Sequence, residues 1–193
     1  SDNPAADDLS TLAAEVEALP RRRPALEFGV RWLERNLPDP PPRPALVHGD
    51  VRNGNLIAGP DGLRAVLDWE LAKRGGDPME DVAWPTNRMW RFGNDHLEVG
   101  GFADRRALIE GYTQAGGIFD TERFEWWKVA RTLWRALGLA HQARSYLSGD
   151  VPNVVMAASG RRVSEMEWDL LMLTRPRPTQ SVPSAISRVG KAN

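Results

Sequence analysis

Apolar residues recur at helical intervals along most of the chain, and one stretch breaks into paired, strand-like runs. Leu9, Leu12, Ala13, Val16 and Leu19 share one face, predicting a helix from about Asp8 to Leu19. Pro24 opens a second helix at its first position, where the missing N–H costs nothing. That helix carries Phe28, Trp32, Leu33 and Leu37, and the prolines between Pro38 and Pro44 stop it. Ala45-Leu46-Val47 is a short apolar run. Leu56-Ile57-Ala58 and Leu63 to Leu67 flank Gly59-Pro60-Asp61-Gly62, which predicts a hairpin.

Gly75-Gly76-Asp77-Pro78 reads as a loop, with Pro78 starting a helix that holds Met79, Val82, Ala83 and Trp84. Helices follow near Asp104 to Ala115, from an Asp120 cap to about Leu147, and from about Val154 to Leu173. In the longest, Trp126, Val129, Ala130, Leu133, Trp134 and Leu137 fall at i, i+3, i+4 spacing and form a core stripe. The expected fold class is mainly α with a small β-hairpin. Residues 1–174 make the helical lobe, and 175–193, rich in Pro, Ser and Arg, make a tail.

Composition narrows the function classes. With 41% hydrophobic residues in 193, the chain can bury an ordinary core. Lysine plus arginine (25) nearly cancels aspartate plus glutamate (26), so nothing electrostatic calls for nucleic acid or an anionic membrane. There is no cysteine, hence neither a disulfide framework nor a thiolate metal site. No apolar run approaches spanning length and the start is polar, so a cytoplasmic protein is expected. Six of the eight tryptophans, counted from Trp84 to Trp168, read as fillers between helices, with a cleft lining as the second use of an indole.

Three polar positions carry candidate chemistry: Asp50 in His48-Gly49-Asp50, Asn55 five residues on, and Asp68 after the second strand. Each alone is ordinary turn or loop chemistry. The predicted hairpin changes that, because pairing Leu56–Ala58 with Ala65–Leu67 sets Asn55 beside Leu67 and Asp68, with Asp50 at the same end. Such an oxygen-bearing pair beside a carboxylate suits a hard cation such as Mg²⁺, and His48 as the one local imidazole argues against zinc. In phosphoryl transfer a carboxylate takes or orients the hydroxyl proton, while an Asn and an Asp hold the metal on the nucleotide phosphates. The Asp-x-x-x-x-Asn spacing, followed by an Asp after a hairpin, is that of protein-kinase catalytic loops.

The run Leu46-Val47-His48-Gly49-Asp50-Val51-Arg52-Asn53-Gly54-Asn55-Leu56-Ile57 resembles the catalytic loop of the aminoglycoside phosphotransferase (APH-like) family. Val66-Leu67-Asp68-Trp69-Glu70 is similar to its metal-binding segment, and Gly76 to Trp84 to the segment that follows. The resemblance implies the C-terminal lobe of the protein-kinase-like (APH-type) fold, with ATP as donor and Mg²⁺ as cofactor. It implies Asp50 as catalytic base, Asn55 and Asp68 as metal ligands, and His48 as a brace for the loop. Asp77 would be a buried support accepting backbone N–H groups of that loop. Asp81 would be either a similar support or an early-turn residue favoured by the helix dipole. Arg52 and Glu70 are as readily surface charges as functional ones, and His96 and His141 have no partner pattern.

The match breaks upstream. Only Gly29 precedes His48, and Lys73, Lys128 and Lys191 all follow the loop, so a glycine-rich phosphate loop and a strand lysine are missing. The expectation is a C-lobe fragment, its nucleotide-covering lobe absent, with little activity by itself. The alternatives are a non-catalytic module that binds a ligand or partner and, ranked lower, a metal-dependent hydrolase. A missing lobe would expose apolar surface and could promote dimers. The acceptor is a small-molecule hydroxyl of unread identity. Eleven acidic and eleven basic residues between Trp84 and Thr174 favour a neutral or partly apolar one.

Overall fold

The computed structural model describes residues 2–176. Two antiparallel helices lead in, α1 (Pro4–Glu17) and α2 (Pro24–Arg35), each with proline in its first turn. Asn3 caps α1 by accepting from the Ala5 N–H. Helix α2 ends at Arg35, two residues short of Leu37, which is exposed with Phe28. Four short strands follow: β1 (Ala45–Val47), β2 (Leu56–Gly59), β3 (Gly62–Val66) and β4 (Lys73–Gly76).

The hairpin β2–β3 pairs Leu56 with Val66 and Ile57 with Ala65, as the turn signal predicts. Strand β4 is a departure: it lies across β1, Ala45 opposite Gly76 and Val47 opposite Lys73, where the sequence reads as loop. Lys73-Arg74-Gly75-Gly76 has no apolar alternation to announce a strand. Glycine at 76 is a packing requirement, because a Cβ there would come within 2.4 Å of Val47 Cγ2.

Helix α3 (Pro78–Ala83) runs into a 3₁₀ turn at Trp84–Thr86, and a further 3₁₀ turn spans Arg88–Trp90. Helices α4 (Arg105–Gln114) and α5 (Thr121–Leu147) start on the Asp104 and Asp120 caps. The predicted last helix is two, α6 (Val154–Ser159) and α7 (Val163–Thr174), joined by a 3₁₀ turn at Gly160–Arg162. A Cβ on Gly160 would meet Ala143 Cβ at 2.7 Å, so the break lies where the chain passes closest to α5. The predicted tail falls outside the described residues, apart from Arg175 and Pro176.

Helix α5 organises the core. It packs against α1, α2, α3, α6 and α7. Phe124, Trp126, Trp127, Leu133, Leu137 and Leu139 are among its fully buried side chains. No helix among the described residues is long and apolar enough to cross a membrane.

Two charged clusters cross this core. Glu98 accepts from Arg105 at 2.7 and 2.8 Å and from Lys128 at 2.5 Å. Burial alone would raise its carboxyl, but these cations outweigh that and hold it at about 2. Burial keeps the Lys128 ammonium below its ordinary value despite Glu98. Glu80, on α3, lies 2.9 Å from Lys73 of β4 and 3.3 Å from Arg131 of α5, and Lys73 also reaches Asp8 of α1 at 3.0 Å. Burial dominates at Glu80 and pushes its carboxyl up, against the pull of Arg131 and Lys73. At less buried Lys73, burial is outweighed by attraction to Glu80 and Asp8, and the ammonium is raised.

Because the folded carboxyl of Glu98 lies below its ordinary value of 4.5, it stabilises the fold above that value and loses its effect as pH falls toward about 2. Urea unfolding between pH 6 and 2.5 should therefore show stability falling on acidification. Glu98→Gln should flatten the fall; an unchanged slope would contradict the assignment.

Candidate active site

The loop after β1 must turn sharply to leave the strand. Gly49 allows this, with φ at +83°, and a Cβ there would lie 2.9 Å from the Leu71 carbonyl oxygen. The loop is then fastened from two sides. The His48 and Gly49 amides donate to the two carboxylate oxygens of Asp81 at 2.7 and 2.8 Å. From α5, Arg131 donates to the Gly49 carbonyl. Its guanidinium also stacks 5.0 Å from the Trp84 ring and 4.0 Å from Trp134.

His48 is buried and fixes the loop to the hairpin. The Asp50 amide must donate to Nδ1, at 3.1 Å, so Nε2 carries the proton and donates to the Leu67 carbonyl at 2.8 Å. Trp69 lies against the imidazole, ring centroids 4.6 Å apart.

This scaffold presents the Asp50 carboxylate with three donors on it. Trp84 Nε1 donates to Oδ1 at 2.7 Å, while Arg52 Nε at 3.0 Å and Asn55 Nδ2 at 2.9 Å donate to Oδ2. Asn55, buried in a single 3₁₀ turn, also donates to the Asp50 carbonyl at 2.9 Å. Both amide hydrogens thus point at Asp50, and Asn55 Oδ1 faces away as a free acceptor. The Leu67 amide donates to the Asn55 carbonyl at 2.8 Å, which sets Asp68 at the end of the strand beside Asn55. Asp68 is left-handed, with φ 69° and ψ 58°, a conformation Asp tolerates better than most residues. Its carboxylate is exposed and takes no hydrogen bond or ion pair among the described residues.

Asn55 Oδ1 and the Asp68 carboxylate are hard oxygen donors left unspent, a set that fits Mg²⁺. No group of three or more His, Cys, Asp or Glu suited to a metal occurs among the described residues. Two protein oxygens would thus be completed by phosphate oxygens and water, the usual habit of Mg²⁺.

The structure departs from expectation at Asp77. Asp77 accepts from the Met79 amide at 3.0 Å and caps α3; it takes no N–H from the loop. The loop amides go to Asp81, one turn further along. Arg52 belongs to the site, pairing with Asp50 and lying 5.1 Å over Trp90. Glu70 is exposed and in no ion pair among the described residues, and His96 and His141 are exposed. Trp84 and Arg131 both touch the loop that carries Asp50; from sequence Trp84 reads as a filler between helices and Arg131 is assigned nothing. A signal for Arg131 existed in hindsight: a charge set within the buried stripe of α5. Asn53 donates to the Gly100 carbonyl at 2.6 Å, tying the loop to the segment after Trp90.

Comparison with known proteins accords with this geometry. The chain is 33% identical over 172 residues to acyl-CoA dehydrogenase family member 11 of Rattus norvegicus. The match covers 83% of this chain and 22% of that protein. It is 46% identical over 74 residues to acyl-CoA dehydrogenase family member 10 of Mus musculus, covering 37% of this chain and 6% of that one. The chain therefore spans a minor part of these relatives. A candidate aminoglycoside phosphotransferase from Ralstonia eutropha JMP134, solved by crystallography, superposes with a TM-score of 0.70 at 22% identity. That match covers 89% of this chain and 55% of the other, and shows a shared fold. A family model for the phosphotransferase enzyme family matches residues 2–127, and the chain belongs to that family.

Proposed function

We propose that this chain carries the catalytic half of an ATP-dependent kinase that phosphorylates a hydroxyl of a small molecule, with Asp50 as the base. The observation that supports this most is the state of the Asp50 carboxylate. An ionised carboxylate offers about four lone-pair directions. Oδ2 spends two on Arg52 and Asn55, and Oδ1 spends one on Trp84. One direction is left, on Oδ1, and the acceptor hydroxyl donates to it.

The donors fix which oxygen reacts and in what orientation, so positioning and electrostatics, the main work of a phosphoryl-transfer enzyme, are in place before substrate arrives. Asp50 takes the hydroxyl proton as the alkoxide oxygen bonds to the γ-phosphorus and the bond to ADP breaks. Asn55 Oδ1 and Asp68 would hold Mg²⁺, which would supply the positive charge that neutralises the nucleotide phosphates. His48 and Asp81 act through the loop as positioning residues.

Residues 2–47 form two helices, a proline-rich turn and strand β1, and contain no glycine-rich phosphate loop. The proposal therefore includes a nucleotide-covering lobe from further polypeptide. The exposed apolar side chains Leu46, Leu63, Leu67 and Trp69, around the site, are the surface it would cover.

Two substitutions test the assignment in the protein extended by its native upstream sequence. Asp50→Asn should lower kcat by roughly 10²–10⁴-fold, the usual worth of a general base, with Mg-ATP affinity by calorimetry unchanged. Normal turnover would refute the base. Retained ligand binding by the unmodified protein, with no phosphoryl transfer to any hydroxyl, would favour the binding module. Trp84→Phe keeps an aromatic ring and removes the donor to Oδ1. Given the worth of a hydrogen bond to a charged group, kcat should fall about 10–100-fold in protein that thermal melts show to be folded, at a midpoint lowered by the smaller ring. A kcat within twofold of the parent would show that Trp84 only packs.

A further inference from the structure

The flank of Asp50 away from the hairpin carries more positive charge than its partners neutralise. On α5, Arg131 and Arg135 are one turn apart and both face the tryptophans of the site. Arg131 pairs with Glu80 and donates to the Gly49 carbonyl, although its Nε has no partner. Arg135 has no such carboxylate. It lies 6.0 Å over the Trp90 ring, forms no ion pair among the described residues, and its Nε is buried with no hydrogen-bond partner. Arg52 stacks on the same indole at 5.1 Å. Trp90 is thus bracketed by two guanidiniums, and its own Nε1 is buried without an acceptor.

The other buried or half-buried cations of α4 and α5 each have a carboxylate. Arg105 pairs with Glu98 and Glu125, Arg123 with Asp77 and Asp120, and Lys128 with Glu98. At Arg135, burial lowers the pKa first, and Arg162 and Arg52 repel the charge. Asp50 is the carboxylate that opposes them, and it is already held by Arg52. A half-buried guanidinium beside two like charges is unfavourable unless an anion arrives to share its donors.

We propose that Arg135, with Arg52 and the face of Trp90, forms an acceptor subsite for an anionic group, so that the phosphorylated compound is a hydroxy acid or a hydroxylated phosphate ester. The proposal rests on the phosphotransferase reading and gives it a substrate class. The planar fork of Arg135 matches a carboxylate or phosphoryl group in two-point contact. The anion then sits close to the hydroxyl that Asp50 Oδ1 receives. The nucleotide phosphates are the other possible anion, and the layout argues against them. The free metal-binding oxygens belong to the hairpin side of Asp50, whereas Arg135 and Trp90 come from α5 and the 88–90 turn, joined to Asp50 through Trp84. Charge counts favour a neutral acceptor; placement, which counts ignore, favours an anion.

The test is a titration of the full chain with lactate, 3-hydroxybutyrate and glycerol 3-phosphate, each against its neutral amide or glycerol. The readout is the indole N–H signals of Trp84 and Trp90 by NMR. At least one anion should bind ten times or more tighter than its neutral counterpart. Arg135→Gln should erase that preference, and Arg135→Lys should restore part of it. Thermal melts establish that both variants fold, and Arg162→Gln serves as a neighbouring control if Arg135→Gln does not. Equal binding of anion and neutral compound, or an Arg135→Gln affinity within twofold of the parent, would overturn the subsite. If Arg135→Gln instead weakens ATP without affecting the acids, the anion is the nucleotide's and the proposal fails. This titration needs no catalysis. Anion binding without Mg-ATP-dependent transfer would leave the subsite standing and sink the kinase reading.

Discussion

Two short hydrogen bonds set the shape of everything near the site. The amides of His48 and Gly49 end on the two oxygens of Asp81, and a loop held there cannot shift without stranding a carboxylate or a backbone N–H. Asp81 in turn is placed by α3, which starts on the Asp77 cap and packs on α5. Glu80, the residue before it, is clamped by Lys73 and Arg131. Arg131 closes the circle by reaching back to the Gly49 carbonyl. The loop, the minor sheet, α1, α3 and α5 are therefore tied together by these contacts, and Asp50 takes its orientation from them.

This arrangement explains which parts of the structure could be read from the sequence. The hairpin and α5 were legible because each satisfies its own local rule: a turn flanked by apolar runs, and a capped stripe at helical spacing. Strand β4 was not, because it gains its pairing from β1 and from the absence of a side chain at Gly76, a property of its neighbour. The Asp77 and Asp81 assignments turned on a four-residue difference on one short helix. Asp77 accepts the helix's own Met79 N–H and Asp81 the loop amides, and which of them meets the loop depends on how α3 is rotated, information held in the packing of Met79, Val82 and Ala83.

The candidate site divides in the same way. Asp50, Asn55 and Asp68 were legible because chain spacing and a hairpin register bring them together. The donors that aim Asp50 were less so. Trp84 looks like a core residue and is one, being buried against Trp90 and Trp134; its single polar atom does the additional work. Arg131 and Arg135 sit in a helix whose apolar stripe is easy to see and whose buried charges are easy to miss. Counting charges over Trp84–Thr174 gives balance, whereas the structure pairs most of those charges off and leaves an excess beside Asp50.

The central claim is that Asp81 holds the loop that orients Asp50. Hydrogen exchange at the His48 and Gly49 amides, compared between the parent protein and Asp81→Asn, tests it most directly. Asn keeps the size but offers one acceptor oxygen instead of two. At least one of the two amides should exchange roughly tenfold faster or more, while amides in the centre of α5 keep their protection. Unchanged protection at both amides would mean that the loop is held by other contacts and that Asp81 is an ordinary residue of a helix's first turn.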